Sequence, residues 1–109
     1  MGGRNVSNPE TALQHDILKY LELRGIFAWR NNSGFLKIGS RVVYLGPCGS
    51  PDIIGMMPDG RFLGIEVKQP KKKLSPGQVA FREKLVANRA LFFVARSVAD
   101  VEKALKEAK

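Results

Sequence analysis

Pro51-Asp52-Ile53-Ile54-Gly55-Met56-Met57-Pro58-Asp59-Gly60-Arg61-Phe62-Leu63-Gly64-Ile65-Glu66-Val67-Lys68 decides how this chain is read. Asp52 to Met57 and Arg61 to Lys68 are two apolar runs. Pro58-Asp59-Gly60 between them is a turn signal, so the stretch predicts a β-hairpin. Side chains alternate faces along a strand. Glu66 and Lys68 then share a face with Gly64, while Leu63, Ile65 and Val67 point the other way. Two carboxylates, Asp52 and Glu66, with one ammonium on neighbouring strands can form a compact divalent-metal site with a cationic helper. Carboxylates set beside hydrophobic strand positions are costly unless something pairs them.

Outward from the hairpin, the amino-terminal side opens on a helix start at Ser7-Asn8-Pro9-Glu10. Either Asn8 caps with Pro9 in the first turn, or Ser7 and Glu10 form a capping box. Leu13, Ile17, Tyr20, Leu21 and Leu23 carry the helical period, and Gly25 ends it. Residues 26–30 read as a strand, 31–34 as a loop, and 35–38 and 41–45 as short strands broken by Gly39-Ser40. On the carboxyl side, Gln69-Pro70-Lys71-Lys72-Lys73 is a basic loop. Ser75-Pro76-Gly77-Gln78 opens a helix whose inner face is Val79, Phe81, Arg82, Leu85 and Val86. Residues 90–95 form a continuous apolar run, the pattern of a strand buried on both faces. Ser97 caps a last helix with Val98, Val101, Ala104, Leu105 and Ala108 inward. The fold class is therefore α/β, a mixed β-sheet flanked by helices, in one domain over 9–109 behind a flexible 1–8.

The 109 residues suffice for a single core, and an apolar fraction of 44% is that of a globular protein. No run approaches the length of a bilayer span, and the amino terminus lacks a signal-peptide core. One Cys48 rules out an internal disulfide and a multi-cysteine zinc site, and one His15 rules out a histidine-rich metal site. Cytoplasmic residence is the expectation. Lys+Arg number 18 against 10 Asp+Glu, a net charge of +8 and a pI near 10.0. So basic a domain suggests a polyanionic partner, and clustered carboxylates on it make sense if metal ions bridge them to phosphates.

Pro51-Asp52, Glu66-Val67-Lys68, Leu74-Ser75-Pro76-Gly77-Gln78 and the first-helix Glu10 together resemble the PD-(D/E)XK nuclease superfamily. Within it they are similar to the VRR-NUC domain, in its small stand-alone viral and bacterial form. The resemblance covers nearly the whole chain. It implies a restriction-endonuclease-like core of order α-β-β-β-α-β-α and phosphodiester hydrolysis with magnesium, manganese substituting. It also implies a backbone-carbonyl metal ligand, here Val67. Larger proteins with this domain act on branched or flapped DNA. Stand-alone members are similar to Holliday-junction resolvases and tend to form dimers.

On that reading Asp52, Glu66, Val67 and Glu10 are the metal ligands. Lys68 holds the attacking hydroxide or stabilises transition-state charge; its plain alternative is a salt bridge to either acid. Glu10 is a ligand or merely a capping residue, though Gln14 one turn on makes a polar stripe facing the sheet. Gln78 orients water or the scissile phosphate, or caps its own helix. Lys71, Lys72, Lys73, Arg82 and Lys84 are placed on DNA phosphates, or form a solvated basic surface. Arg30, Asn31, Asn32, Lys37 and Arg41 are a second polar set for DNA or a partner subunit. Trp29 reads as core or interface, and Cys48 as inert. The expectation is a magnesium-dependent endonuclease for branched DNA such as four-way junctions, acting as a homodimer, since two symmetric cuts need two sites. A flap or nicking nuclease acting as a monomer, a silent nucleic-acid-binding module and a subunit binding an acidic protein are the rivals.

Overall fold

The computed structural model describes residues 8–31 and 34–108. The elements run α1 (Pro9–Leu23), β1 (Phe27–Arg30), β2 (Phe35–Ile38), β3 (Arg41–Tyr44), β4 (Ile53–Met56), β5 (Phe62–Val67), α2 (Pro76–Ala87), β6 (Leu91–Ala95) and α3 (Val98–Glu107). Four strands make one mixed sheet in the order β1-β4-β5-β6, with β1-β4 and β4-β5 antiparallel and β5-β6 parallel. The order α1, β1, β4, β5, α2, β6, α3 is the α-β-β-β-α-β-α core expected of the chain. The strands β2 and β3 form a separate two-stranded ribbon inserted between β1 and β4.

The central hairpin forms where Pro58-Asp59-Gly60 placed it. Met57 N–H donates to Arg61 O at 2.8 Å, Gly60 N–H donates to Met57 O at 2.8 Å, and the Asp59 carboxylate accepts from Arg61 N and Nε. Ile53 pairs with Ile65 and Ile54 with Gly64. One face of the sheet presents Ile53, Leu63, Ile65, Val67 and Ala95. These pack with Ile17 and Leu21 of α1 and Val101 and Leu105 of α3 as the core. At roughly 1.5–3 kcal/mol per fully buried aliphatic side chain, this cluster is the main stabilising element. The other face is covered only in part. A Cβ on Gly64 would lie 2.9 Å from Pro51 Cγ and 3.2 Å from Leu85 Cδ1, so the loop before β4 and α2 close over it there.

The helices α1 and α2 both open on caps legible in the sequence. Asn8 Oδ1 accepts from Glu10 N–H at 2.8 Å, with Pro9 in the first turn, so Asn8 belongs to the folded unit. Ser75 and Gln78 form a capping box. Three burial expectations need correction. Leu23 and Val86 are exposed, because each lies near its helix's carboxyl end with nothing packed over it. The apolar run of β6 is only half-buried from Leu91 to Val94, because β6 is an edge strand and its α2 side is incompletely covered. Ser7, Asn32 and Ser33 lie outside the described residues.

Candidate active site

Asp52 directly precedes β4 and Glu66 lies near the end of β5. Extending the Ile53–Ile65 register by one step sets Asp52 opposite Glu66. Asp52 Oδ2 accepts a hydrogen bond from Val67 N–H at 2.9 Å, which locks the carboxylate against the β5 backbone. Glu66 is 1% exposed, and its Oε2 has no hydrogen-bond partner. Burial, first, and the neighbouring Asp52 carboxyl, second, push the Glu66 carboxyl up to about 9; Glu10 adds to this and Lys68 opposes it. An acid so placed is uncomfortable as a lone anion, and its orphaned oxygen asks for a proton or a cation.

Glu10 reaches the same corner from α1. Its Oε2 lies 3.4 Å from Gln69 N–H, just past β5. Asn8 serves as the cap, which leaves the Glu10 side chain free of capping work. Gln14, one turn further, is 7% exposed, and its Oε1 also has no partner. Lys68 is half-buried, and its N–H donates to Ala95 O, which continues the β5-β6 pairing past Val67. The structure thus gathers Glu10, Asp52, Glu66 and Lys68. Gln78 is engaged in its capping box, with Oε1 accepting from Ser75 N–H at 2.8 Å, so only its Nε2 group is left for other work. The start of α2 is nonetheless close to the Asp52 loop, since a Cβ on Gly49 would fall 2.4 Å from Gly77 O.

Among the described residues no three Asp, Glu, His or Cys side chains already form a cage for a metal ion. A hard divalent cation does not need one. It favours oxygen ligands and keeps several waters. Two carboxylates from the hairpin, the Val67 carbonyl beside them and the Glu10 carboxylate are ligands of the right type, and the orphaned Glu66 oxygen is the observation that fits a cation there.

Two anchoring contacts have no sequence signal. Asn31 Nδ2 donates to Ser50 Oγ at 2.8 Å and to Pro51 O at 2.9 Å, and Asn31 N–H donates to Asp52 O at 2.7 Å. This clasp closes the root of the inserted ribbon directly behind Asp52. Arg96 Nη2 donates to Lys72 O at 2.7 Å and so ties down the basic loop that follows Lys68. Lys71, Lys72 and Lys73 are exposed on that loop, Arg82 is half-buried on α2 and Lys84 exposed. Arg30 lies at the end of the edge strand β1, and Lys37 and Arg41 stand on the ribbon. The basic residues therefore flank the acidic corner from two sides rather than forming one patch. A cavity of about 820 Å³ between α1 and β1 is lined by Arg30 and Trp29 but by none of Glu10, Asp52 and Glu66. Trp29 is half-exposed, Cys48 is exposed and His15 lies on the surface.

A four-stranded mixed sheet with α1 and α3 on one face, α2 on the other, and an acid–acid–lysine set at the end of its central hairpin defines a restriction-endonuclease-like domain. The model of the VRR-NUC domain matches residues 8–99. The chain belongs to the VRR-NUC family, a nuclease-type domain of the PD-(D/E)XK superfamily that acts on nucleic acid. A solved structure titled "VRR_NUC domain" superposes with a TM-score of 0.69 at 23% identity, over 94% of this chain and 100% of that one, which shows the shared fold. None of the curated proteins matches this chain.

Proposed function

We propose that this domain is a magnesium-dependent, structure-selective DNA endonuclease that cuts phosphodiester bonds in branched DNA, such as four-way junctions, as a homodimer. The observation that carries the reading is Glu66: a carboxyl 1% exposed, with an unpartnered oxygen, next to Asp52 in a chain of charge +8. Asp52, Glu66, the Val67 carbonyl and Glu10 would hold the magnesium, for which manganese would substitute. The ion, when bound, supplies charge neutralisation and lowers the pKa of coordinated water. Asp52, fixed by the Val67 N–H and the Asn31 clasp, keeps its carboxylate in one orientation. Lys68, half-buried beside the acids, orients the attacking water and stabilises charge on the phosphate. Gln78 contributes through its Nε2 group at the mouth of the site. Lys71, Lys72, Lys73 and Arg82 on one flank, and Arg30, Lys37 and Arg41 on the other, hold DNA phosphates without reading bases. Cytoplasmic residence accords with this reading.

The test is cleavage of four-way junction, flap and linear DNA by purified protein across a magnesium and manganese series. Junction cleavage that needs metal and is lost in Asp52→Ala and Lys68→Ala is expected. Absence of cleavage on every substrate, or activity that survives both substitutions, refutes the proposal.

A further inference from the structure

We propose that the groove between α1 and the outer edge of β1 holds an unpaired strand of DNA, its bases stacked on Trp29 and Phe27 and its phosphates on Lys19 and Arg30. This rests on the DNA substrate of the proposed function and says where a single-stranded arm of it runs. The sheet ends at β1, which pairs with β4 on its inner side. Asn31 N–H donates to Asp52 O, so the hydrogen-bonded pairs alternate back along β1 to Trp29 with Ile54 and Phe27 with Met56. The N–H and C=O groups of Ala28 and Arg30 therefore point away from β4, toward the open edge.

Along that edge lies the cavity of about 820 Å³. Its walls differ in chemistry. The helix α1 contributes His15, Lys19 and Glu22, three or four residues apart and so on one helical face. The strand contributes Arg30 on the α1 side, and Phe27 and Trp29 from its other side by alternation. The cavity thus wraps the edge of β1. Trp29, expected in the core or an interface, is 46% exposed, and Phe27 is 69% exposed. Their ring centroids are 5.1 Å apart with the planes inclined at 48°, so each ring keeps a face open.

Charge and shape select the occupant. Lys19, Arg30 and His15 outnumber Glu22, and among the described residues neither Lys19 nor Arg30 is in an ion pair. Cations beside open aromatic faces are the pattern of single-strand binding, in which phosphates follow the charge and bases stack on the rings. A duplex keeps its base faces covered and has none to give. An acidic peptide would satisfy the cations but leave the rings without flat partners. Position agrees with this. Arg30 directly precedes Asn31, whose N–H holds Asp52 O, and Phe27 lies about 10 Å farther along β1. An unpaired strand leaving the acidic corner passes Arg30 first and the two rings next.

Trp29 is the sole tryptophan, so its fluorescence reads the groove directly. The full chain is titrated in chelator, where no strand is cut, with a single-stranded oligonucleotide and with the blunt duplex of the same sequence. The single strand is expected to quench Trp29 emission, and the duplex to leave it nearly unchanged. Phe27→Ala is expected to weaken the quenching titration about tenfold, and Trp29→Ala to weaken binding of a labelled strand, followed by anisotropy, to the same degree. Lys19→Ala is expected to lower the salt slope of the quenching titration by about 0.7. Lys103→Ala, which removes an exposed lysine of α3 outside the groove, is expected to leave the quenching unchanged. Circular dichroism melting establishes that each variant is folded, and Phe27 and Lys19 are exposed enough to accept the change. No quenching by the single strand, equal quenching by the duplex, or full quenching in both Phe27→Ala and Lys19→Ala overturns the inference. So does displacement of the strand by poly-glutamate at equal charge, or a loss in Lys103→Ala equal to that in Lys19→Ala. Cleavage of junction DNA by the same samples in magnesium reads the other proposal separately. A protein that stacks the single strand and never cuts removes the nuclease reading and keeps the groove, and one that cuts without quenching does the reverse.

Discussion

Glu66 binds a proton more tightly in the folded protein than in the unfolded chain, because burial and the Asp52 carboxyl raise its pKa from 4.5 to about 9. A raised folded-state value means the native state holds the extra proton between those limits. This contribution to stability is whole below about 4.5 and is lost as pH rises through about 9. In a chelator, thermal denaturation of the wild type should therefore show stability falling across that window, and Glu66→Gln, which cannot ionise, should remove that part of the slope. A bound divalent cation needs the ionised carboxyl, so magnesium should raise the melting temperature more at the alkaline end than at the acid end. Lys68 opposes the Glu66 shift. Lys68→Ala should accordingly lower turnover by about 10²–10⁴-fold, the range for a positioned proton-handling group, and also raise the magnesium concentration needed for half-activity. Steady-state cleavage across a metal titration measures both. Loss of turnover with an unchanged metal requirement would separate Lys68 from Glu66. The acids and the lysine were legible at this scale because a hairpin with its turn and alternation in view brings residues fourteen apart into register. That Glu10 serves the same corner was open in the sequence, since Ser7 offered a cap. Asn8 takes that role and frees the Glu10 carboxylate, which lies 3.4 Å from Gln69 N–H.

Elements meet most closely at β1 and β4. A Cβ on Gly55 would sit 2.4 Å from Phe27 O and 2.7 Å from Ala28 Cβ. Gly55→Ala should force the two strands apart and cost about 1–3 kcal/mol, read by urea denaturation. The side chain of Asn31 ties down the root of the insertion between these strands. Asn31→Ala removes the donors to Ser50 and Pro51 and leaves buried Ser50 without that partner. It should cost about 1–3 kcal/mol, and it should lower turnover more than it raises KM, because Asp52 is displaced while Lys71, Lys72 and Lys73 are not. Equal changes in both would assign Asn31 to the ribbon alone. Helix caps, the hairpin and the order of elements were legible because each depends on neighbours within a few residues. The clasp was not, because Asn31 and Ser50 meet only once the chain has gone out along the ribbon and returned. Leu23, Val86 and the β6 run misled for one reason: apolar periodicity identifies a face, but not whether another element covers it.

Across the whole molecule, Lys71, Lys72, Lys73 and Arg82 lie on one side of the acidic corner and Arg30, Lys37 and Arg41 on the other. Each phosphate neutralised by a lysine contributes about 0.9 to the slope of log binding constant against log salt on duplex DNA. Lys71→Ala, Lys72→Ala and Lys73→Ala combined should reduce that slope by about 2–3 and weaken binding to all sequences alike, measured with a catalytically dead protein. An unchanged slope would make these lysines a solvated loop. Arg96, which holds the Lys72 carbonyl, gives that loop a fixed path rather than a loose one.

The sequence by itself determined the α/β class, the order of the core elements, the hairpin and the acid–acid–lysine set, because alternation, caps and turns are local physics and the family's motifs lie on them. Tertiary structure alone decided the rest. It orphaned a Glu66 oxygen by burying it, turned Gln78 toward its own helix, and cinched Asp52 through Asn31. It also left Phe27, Trp29, Met56 and Phe62 uncovered on one sheet. Burial, orphaned polar atoms and open faces are properties of what distant segments bring together, and no short stretch of residues contains them.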